Sequence, residues 1–336
     1  MKISLIGTEN DIDQTIAFLL KILLPSGSEL SLYKATPNSQ SIFFDLELVP
    51  MANVRISQYE DISPALENAD IVLISAEVRR QAGMTRDDIF HVNAAIMKSF
   101  AQSIARTCPT ALIALVSNPI NSMLAVVSEV LKRAGVYDSK KLFGVAPLSG
   151  MNASLFFSQK KGRERINIPV IGGASRKTML PLFSQVPDLE LTQAQLELQI
   201  QSIQSNGTIF SVLSQISDLG LTQAQLELLI QSIQSNSDKF MGREGVVLTN
   251  SFAVTRFCLL LTRALQGESD IVEYAYVGGD SEYATYFTQP ILLCKTGIKE
   301  FQDIGKLSDL EKNLLQNLLP ELLSDIDKGE KFVRNT

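Results

Sequence analysis

Short continuous apolar runs alternate with amphipathic stretches through the first half of the chain. Residues 2–6 (Lys-Ile-Ser-Leu-Ile) form an apolar run that stops at Gly7. From Asp13 to about Leu24, apolar residues return at helical spacing. Residues 29–33 (Glu-Leu-Ser-Leu-Tyr) predict a second strand. Residues 69–75 and 111–117 are nearly unbroken apolar runs, the pattern of parallel strands covered on both faces. A long helical pattern over 87–107 separates them. Strand and helix in regular alternation predict an α/β fold with a doubly wound parallel sheet.

The second half is mixed. Residues 166–173 (Ile-Asn-Ile-Pro-Val-Ile-Gly-Gly) predict a strand that ends in a glycine turn. Helical patterns recur at about 246–266 and 308–328, and residues 271–277 and 290–294 have the character of sheet. This half is expected to form a smaller α+β domain packed on the first.

One segment stands apart. Asp188 to Asn206 repeats as Asp218 to Asn236, and only Glu190/Gly220 and Gln199/Leu229 differ. Two near-identical copies are the mark of a recent tandem duplication over 188–236, not of a stacked repeat array, which needs at least about three units. Each copy has a helix start. Thr192 and Gln195 have capping-box spacing, with Leu191 and Leu196 placed as a hydrophobic staple, and Thr222, Gln225, Leu221 and Leu226 repeat the arrangement. Helices 192–206 and 222–236 each carry one apolar stripe (Leu196, Ile200, Ile203; Leu226, Ile230, Ile233). The stripes fit packing on the domain or on each other, with a docking surface for a protein partner as the alternative.

Composition narrows the function classes. The net charge is −6 and no basic run is present, so nucleic acid is not an expected partner. Cys108, Cys258 and Cys294 are far apart, without the spacing of a metal site or a disulfide framework. No metal is expected. No stretch approaches the roughly 20 apolar residues of a membrane span, and the N-terminal run is too short for a signal peptide. The expected location is the cytoplasm.

The candidate chemistry lies after the first strand. A dinucleotide loop there needs glycines, for a tight turn and for close approach of backbone to the pyrophosphate. The segment reads Gly7-Thr8-Glu9-Asn10-Asp11-Ile12-Asp13, with only the first glycine in place and three carboxylates close to the helix start. Acidic groups there complement an empty helix N-terminus and repel a phosphate. The second strand is followed by Lys34, where an NAD site wants an acidic residue to accept from the ribose hydroxyls. Lysine cannot accept, and a surface position is expected for it.

Residues 14–33, Ala69-Asp70-Ile71-Val72-Leu73-Ile74-Ser75-Ala76, Asn118-Pro119-Ile120-Asn121 and Lys141-Leu142-Phe143-Gly144-Val145 resemble the bacterial malate dehydrogenases of the lactate/malate dehydrogenase family. So do Pro169-Val170-Ile171-Gly172-Gly173 and Arg263-Ala264-Leu265-Gln266-Gly267-Glu268. The resemblance covers nearly the whole chain outside the duplicated segment. It implies a Rossmann-type, NAD-binding-type domain over 1–144, a lactate/malate dehydrogenase C-terminal-type domain over 145–336, and a homodimer.

The resemblance also implies where the reaction's residues should stand. The family's His acid/base follows the Gly-Gly turn, and here Ala174 occupies that place. Its Asp partner falls at Ser149, and the arginine that clamps a substrate carboxylate falls at Asn152. The fork of an arginine is not replaced by an amide without losing charge and geometry. Arg80, Arg86 and Asn118 stand where the family contacts substrate, and Arg176 adds a charge near the former site. In the cofactor loop only Gly7 is kept, while Asn10, Asp13 and Lys34 depart from the pattern. The single histidine, His91, falls in the helix after the Arg86 segment, where a helix-surface or partly packed place is expected. The expectation is a malate-dehydrogenase-like protein without catalytic activity and without a cofactor. Its role would be binding, regulation or assembly, and its partners a second copy or a protein held by the duplicated helices. The alternative is a residual or altered NAD-dependent oxidoreductase acting on malate or another 2-oxo acid.

Overall fold

The computed structural model describes residues 1–7, 10–34, 42–49, 53–78, 83–145, 168–175, 177–186, 244–279 and 281–336. The predicted alternation is present. Strand β1 (Lys2–Ile6) leads to helix α1 (Asp11–Leu23) and strand β2 (Glu29–Tyr33). Helix α2 (Phe43–Glu47), strand β3 (Arg55–Tyr59) and helix α3 (Ile62–Leu66) follow. Strand β4 (Ile71–Ile74), helix α4 (Arg86–Thr107), strand β5 (Leu112–Leu115), helix α5 (Ile120–Arg133) and strand β6 (Leu142–Gly144) complete the first half. The short elements α2, β3 and α3 are absent from the hydrophobic pattern. The five residues of β3 are exposed or half-buried, so no apolar run marks them.

The second half holds β7 (Val170–Gly172), β8 (Met179–Pro181), α6 (Glu244–Leu265), β9 (Ile271–Gly278), β10 (Tyr286–Cys294), β11 (Gly297–Phe301) and α7 (Asp309–Arg334). It does not build a separate sheet. Among the described residues, eleven strands form one sheet in the order β3-β2-β1-β4-β5-β6-β9-β10-β7-β8, with β11 on β10. The strands from β3 to β6 run parallel, and β9 joins β6 antiparallel, with Phe143 opposite Val277. The expected packing of one domain on another is therefore a continuation of hydrogen bonds through the sheet.

Helices cover both faces. On one side α4, α5 and α7 bury Met97, Leu124, Val127, Leu322 and Ile326. On the other, α1 and α6 bury Ile16, Leu20, Phe257 and Leu261 against Leu5, Leu73 and Phe143. Complete burial of each such side chain contributes about 1.5–3 kcal/mol before chain entropy is set against it. All four residues of β4 and of β5 are buried, which is why these strands read as continuous apolar runs.

Candidate functional site

In an open parallel sheet, ligands bind beyond the carboxyl ends of the strands, at the point where the connections reverse direction. Here that point lies between β1, whose neighbour in sequence is β2 on one side, and β4, which leads to β5 on the other. Gly7 stands at the end of β1 with φ of 109°. A Cβ there would lie 2.7 Å from the backbone nitrogen of Ala76, so the two strand ends approach as only glycine permits. Ser75 and Ala76 both donate their N–H groups to the Ile6 carbonyl, at 3.0 Å each.

Beyond Gly7, the N-terminus of α1 is closed by its own side chain. Asn10 is the N-cap, and its Oδ1 accepts from the N–H of Ile12 at 2.9 Å and of Asp13 at 3.1 Å. Its Nδ2 donates to Asp13 Oδ2 at 2.5 Å. Asp13 is 1% exposed, and Asp11 faces solvent in the same turn. Two of the donors that a helix N-terminus offers an anion are thus taken by Asn10, with a buried carboxylate beside them. The Gly7 cradle fits a dinucleotide, whereas the Asn10–Asp13 pair does not: a pyrophosphate oxygen would have to displace the amide and lie against Asp13.

Lys34 does not occupy the surface position expected for it. It is 8% exposed. Its N–H donates to the Tyr59 carbonyl at 3.1 Å, which extends the β2–β3 ladder by one residue. A lysine stem covers apolar surface readily, so the residue type gave no warning of burial.

A second group of polar residues lies at the ends of β4 and β5. The Asn118–Pro119 peptide is cis. The backbone N–H of Asn118 donates to Glu77 Oε2 at 2.8 Å, and its side-chain Nδ2 donates to the same oxygen at 3.1 Å. Asn118, a substrate-contact candidate, therefore has its amide committed to an internal carboxylate.

The glycine turn after β7 is tight. Gly172 has φ of 98°, and a Cβ on Gly173 would fall 2.1 Å from Thr178 Oγ1. Ala174 follows, half-buried, and donates its N–H to Asn121 Oδ1 at 2.8 Å. Asn121 Nδ2 donates onward to Thr178 Oγ1 at 3.0 Å and to Asp325 Oδ2 at 2.9 Å. Burial pushes the Asp325 carboxyl above its ordinary range, and the Asn121 bond opposes this. The Ala174 methyl cannot move a proton, and Asp325 is the titratable group hydrogen-bonded to Asn121, with Glu321, Lys328 and Lys177 acting on its charge.

His91 lies on α4 as expected, with its side chain 58% exposed and its Nε2 3.2 Å from Asp87. The Lys328 hydrogen bond, ahead of His91, holds the Asp87 carboxyl below its ordinary range. Arg86 is the first residue of α4, between the Thr85 and Asp88 of the capping box, and its side chain is outside the described residues. Arg80, Ser149, Asn152 and Arg176 also lie outside the described residues, as do helices 192–206 and 222–236. The residues missed by sequence reasoning are Glu77, Asn93, Asn121 and Asp325. None of these four had a local signal; the Asn10 cap did, because Asn is a preferred residue immediately before a helix.

Among the described residues, no group of three His, Cys, Asp or Glu could hold a metal ion. All three cysteines are free thiols. No described helix is long and apolar enough to cross a membrane.

Two family models match the chain. Residues 1–144 match "lactate/malate dehydrogenase, NAD binding domain", and residues 206–333 match "lactate/malate dehydrogenase, alpha/beta C-terminal domain". A malate dehydrogenase of Yersinia pestis (strain Pestoides F) is 44% identical over 336 residues, 99% of each chain, and one of Yersinia pseudotuberculosis serotype I (strain IP32953) is equally similar. The apo malate dehydrogenase of Picrophilus torridus superposes with a TM-score of 0.73 at 17% identity, over 100% of this chain and 99% of that one. The Plasmodium falciparum malate dehydrogenase in complex with NADH gives 0.69 at 19%, over 99% and 100%. The family's first domain is thus an NAD-binding one, and the expected absence of a cofactor rests on this chain's own residues alone. Nearly full-length identity at this level, with both domain models matched, places the chain in the lactate/malate dehydrogenase family.

Proposed function

We propose that this chain is a member of the malate dehydrogenase group that has given up hydride transfer and acts as a binding or assembly protein. The observation that carries this is the closed N-terminus of α1. Asn10 Oδ1 holds two of the N–H groups that would receive a phosphate, and Asp13 adds a negative charge behind them. Without a bound nicotinamide there is no hydride acceptor. Ala174 supports the same view from the substrate side. A positioned acid/base contributes roughly 10²–10⁴-fold, and members of one site fail together rather than additively. The test is NADH binding, followed by fluorescence, with NADH oxidation measured in the presence of oxaloacetate at high protein concentration. Absence of saturable binding below the millimolar range, with oxidation at the protein-free rate, is expected. Saturable binding with turnover would overturn the proposal.

The second candidate is a working NAD-dependent oxidoreductase. It is favoured by the 44% identity to proteins named malate dehydrogenase along nearly the whole chain. The same titration decides between the two.

For assembly, the proposed partner is a second copy, as the family resemblance implies. Its physical support is the outward side of α1, which carries large apolar side chains among its polar ones. Ile16, Ala17 and Leu20 face the core, while Phe18 at 42% and Leu23 at 46% exposure face outward with half-buried Leu19 and Ile22. Large apolar side chains grouped on an outward helix face suit an interface.

A further inference from the structure

We propose that Glu77 is a built-in carboxylate ligand of the crevice, and that it determines specificity by keeping small carboxylate anions away from Asn118. The inference rests on the reading that the cofactor seat is closed, and it concerns the other half of the crevice.

Asn118 stands beyond β5, at the carboxyl edge where an open parallel sheet receives its ligands. It presents two donors toward one place, a backbone N–H and a side-chain amide, and paired donors suit an anionic oxygen. Both converge on a single atom, Glu77 Oε2, at 2.8 and 3.1 Å. A carboxylate already occupies the position that a carboxylate ligand would take. A second anion there would find the two donors already taken and would meet the like charge of Glu77 at close range.

The contact is not an accident of two loose loops. Three other bonds fix the segments that carry it. Ser117 Oγ, on a residue 1% exposed, donates to the Ala76 carbonyl at 2.7 Å. Asn93, reaching up from α4 and 2% exposed, accepts from the Val78 N–H at 2.8 Å and donates to the Asn118 carbonyl at 3.0 Å. Glu77 is therefore flanked by Ala76 and Val78, both tied down, and faces an Asn118 held from the other side. Buried polar bridges of this kind set a single arrangement. With the Asn10–Asp13 pair at α1, the two described donor sets of the crevice are each closed by an oxygen from the chain itself.

The test compares wild type with Glu77→Ala and Glu77→Gln by thermal-shift and calorimetric titration with L-malate and oxaloacetate, each with and without NADH. Glu77→Ala is expected to bind a dicarboxylate at least tenfold more tightly than wild type. Glu77→Gln, which keeps an acceptor for the Asn118 amide but no charge, is expected to gain less. A gain by Glu77→Ala supports the proposal whether or not the Gln variant shares it. No gain, or a wild type that responds as strongly, overturns it. Should Glu77→Ala fail to fold, Glu77→Gln is judged by the same criterion. NADH binding by wild type would refute the closed cofactor seat and leave the malate comparison intact, so the two failures are separable.

Discussion

Opening the N-terminus of α1 should trade stability for nucleotide binding. The perturbation is Asn10→Ala with Asp13→Gly. It removes an N-cap side chain that accepts from Ile12 and Asp13, and the buried carboxylate to which Asn10 donates. Loss of the cap costs about 1 kcal/mol, and a glycine in the helix adds roughly 0.5–1 kcal/mol. The Asp13 carboxylate leaves together with the Asn10 amide that donates to it. The sum is about 2 kcal/mol, which for a chain of this size lowers the melting temperature by a few degrees.

The same change frees two N–H groups aimed at the crevice beyond Gly7. Hydrogen bonds from such donors to a charged phosphate contribute about 1.5 kcal/mol each at the low end, or about 3 kcal/mol together. That is roughly a hundredfold in affinity, and removal of the Asp13 charge acts in the same direction. Denaturation followed by circular dichroism reads the first effect, and NADH or ADP titration reads the second. A variant that unfolds earlier and binds the nucleotide is expected. If stability and affinity both stay at wild-type values, the Asn10 cap is not what closes the site.

Gly172→Ala is expected to be strongly destabilising, because φ is 98° and a Cβ would lie 2.4 Å from the Thr178 carbonyl oxygen; soluble yield and a denaturation curve show this. Asp325→Asn tests a sign. Burial raises the Asp325 carboxyl from its usual 3.8, so its protonated form favours the fold, and that contribution is lost as pH rises through the folded-state pKa. Asp325→Asn keeps an acceptor for Asn121 and is expected to flatten this dependence while matching or exceeding wild-type stability at pH 7. Burial raises the Cys258 thiol to about 12 and the Cys108 thiol to about 11, so a thiol reagent should label half-buried Cys294 first in the native protein and Cys258 only on unfolding. Phe18→Glu on the outward face of α1 is expected to give a monomer by light scattering; an unchanged dimer would place the interface elsewhere, and a monomeric wild type would remove the dimer altogether.

The fold was legible in the sequence wherever both faces of an element are buried. Strands β4 and β5 show themselves as apolar runs because every side chain in them is covered, and α4 because its apolar residues recur at helical spacing. Strand β3 was not legible, because its half-exposed residues have no such pattern and it owes its place to pairing with β2. The joining of the two halves into one sheet was equally hidden. It depends on β9 lying antiparallel to β6, a pairing between segments that are distant in sequence.

At the site, the sequence showed what was missing more readily than what had replaced it. Ala174 in place of a base is visible as a residue type. That its N–H is bound to Asn121, and that Asn121 reaches Asp325 on the last helix, depends on tertiary contacts. Lys34 was misplaced because a charged residue at a strand end reads as exposed, whereas a lysine stem can lie buried against its neighbours. Asn10 and Glu77 differ in an instructive way. Asn10 acts on the helix that follows it directly, so local spacing carries the signal. Glu77 acts on Asn118 across two strand ends, and its position is set by Ser117 and Asn93, neither of which is near it in sequence. The departures from the family's pattern could therefore be read from single positions, but the contact between Glu77 and Asn118 could not. It requires an oxygen atom placed within hydrogen-bond reach of two donors from a distant segment, and that placement is a property of the folded chain.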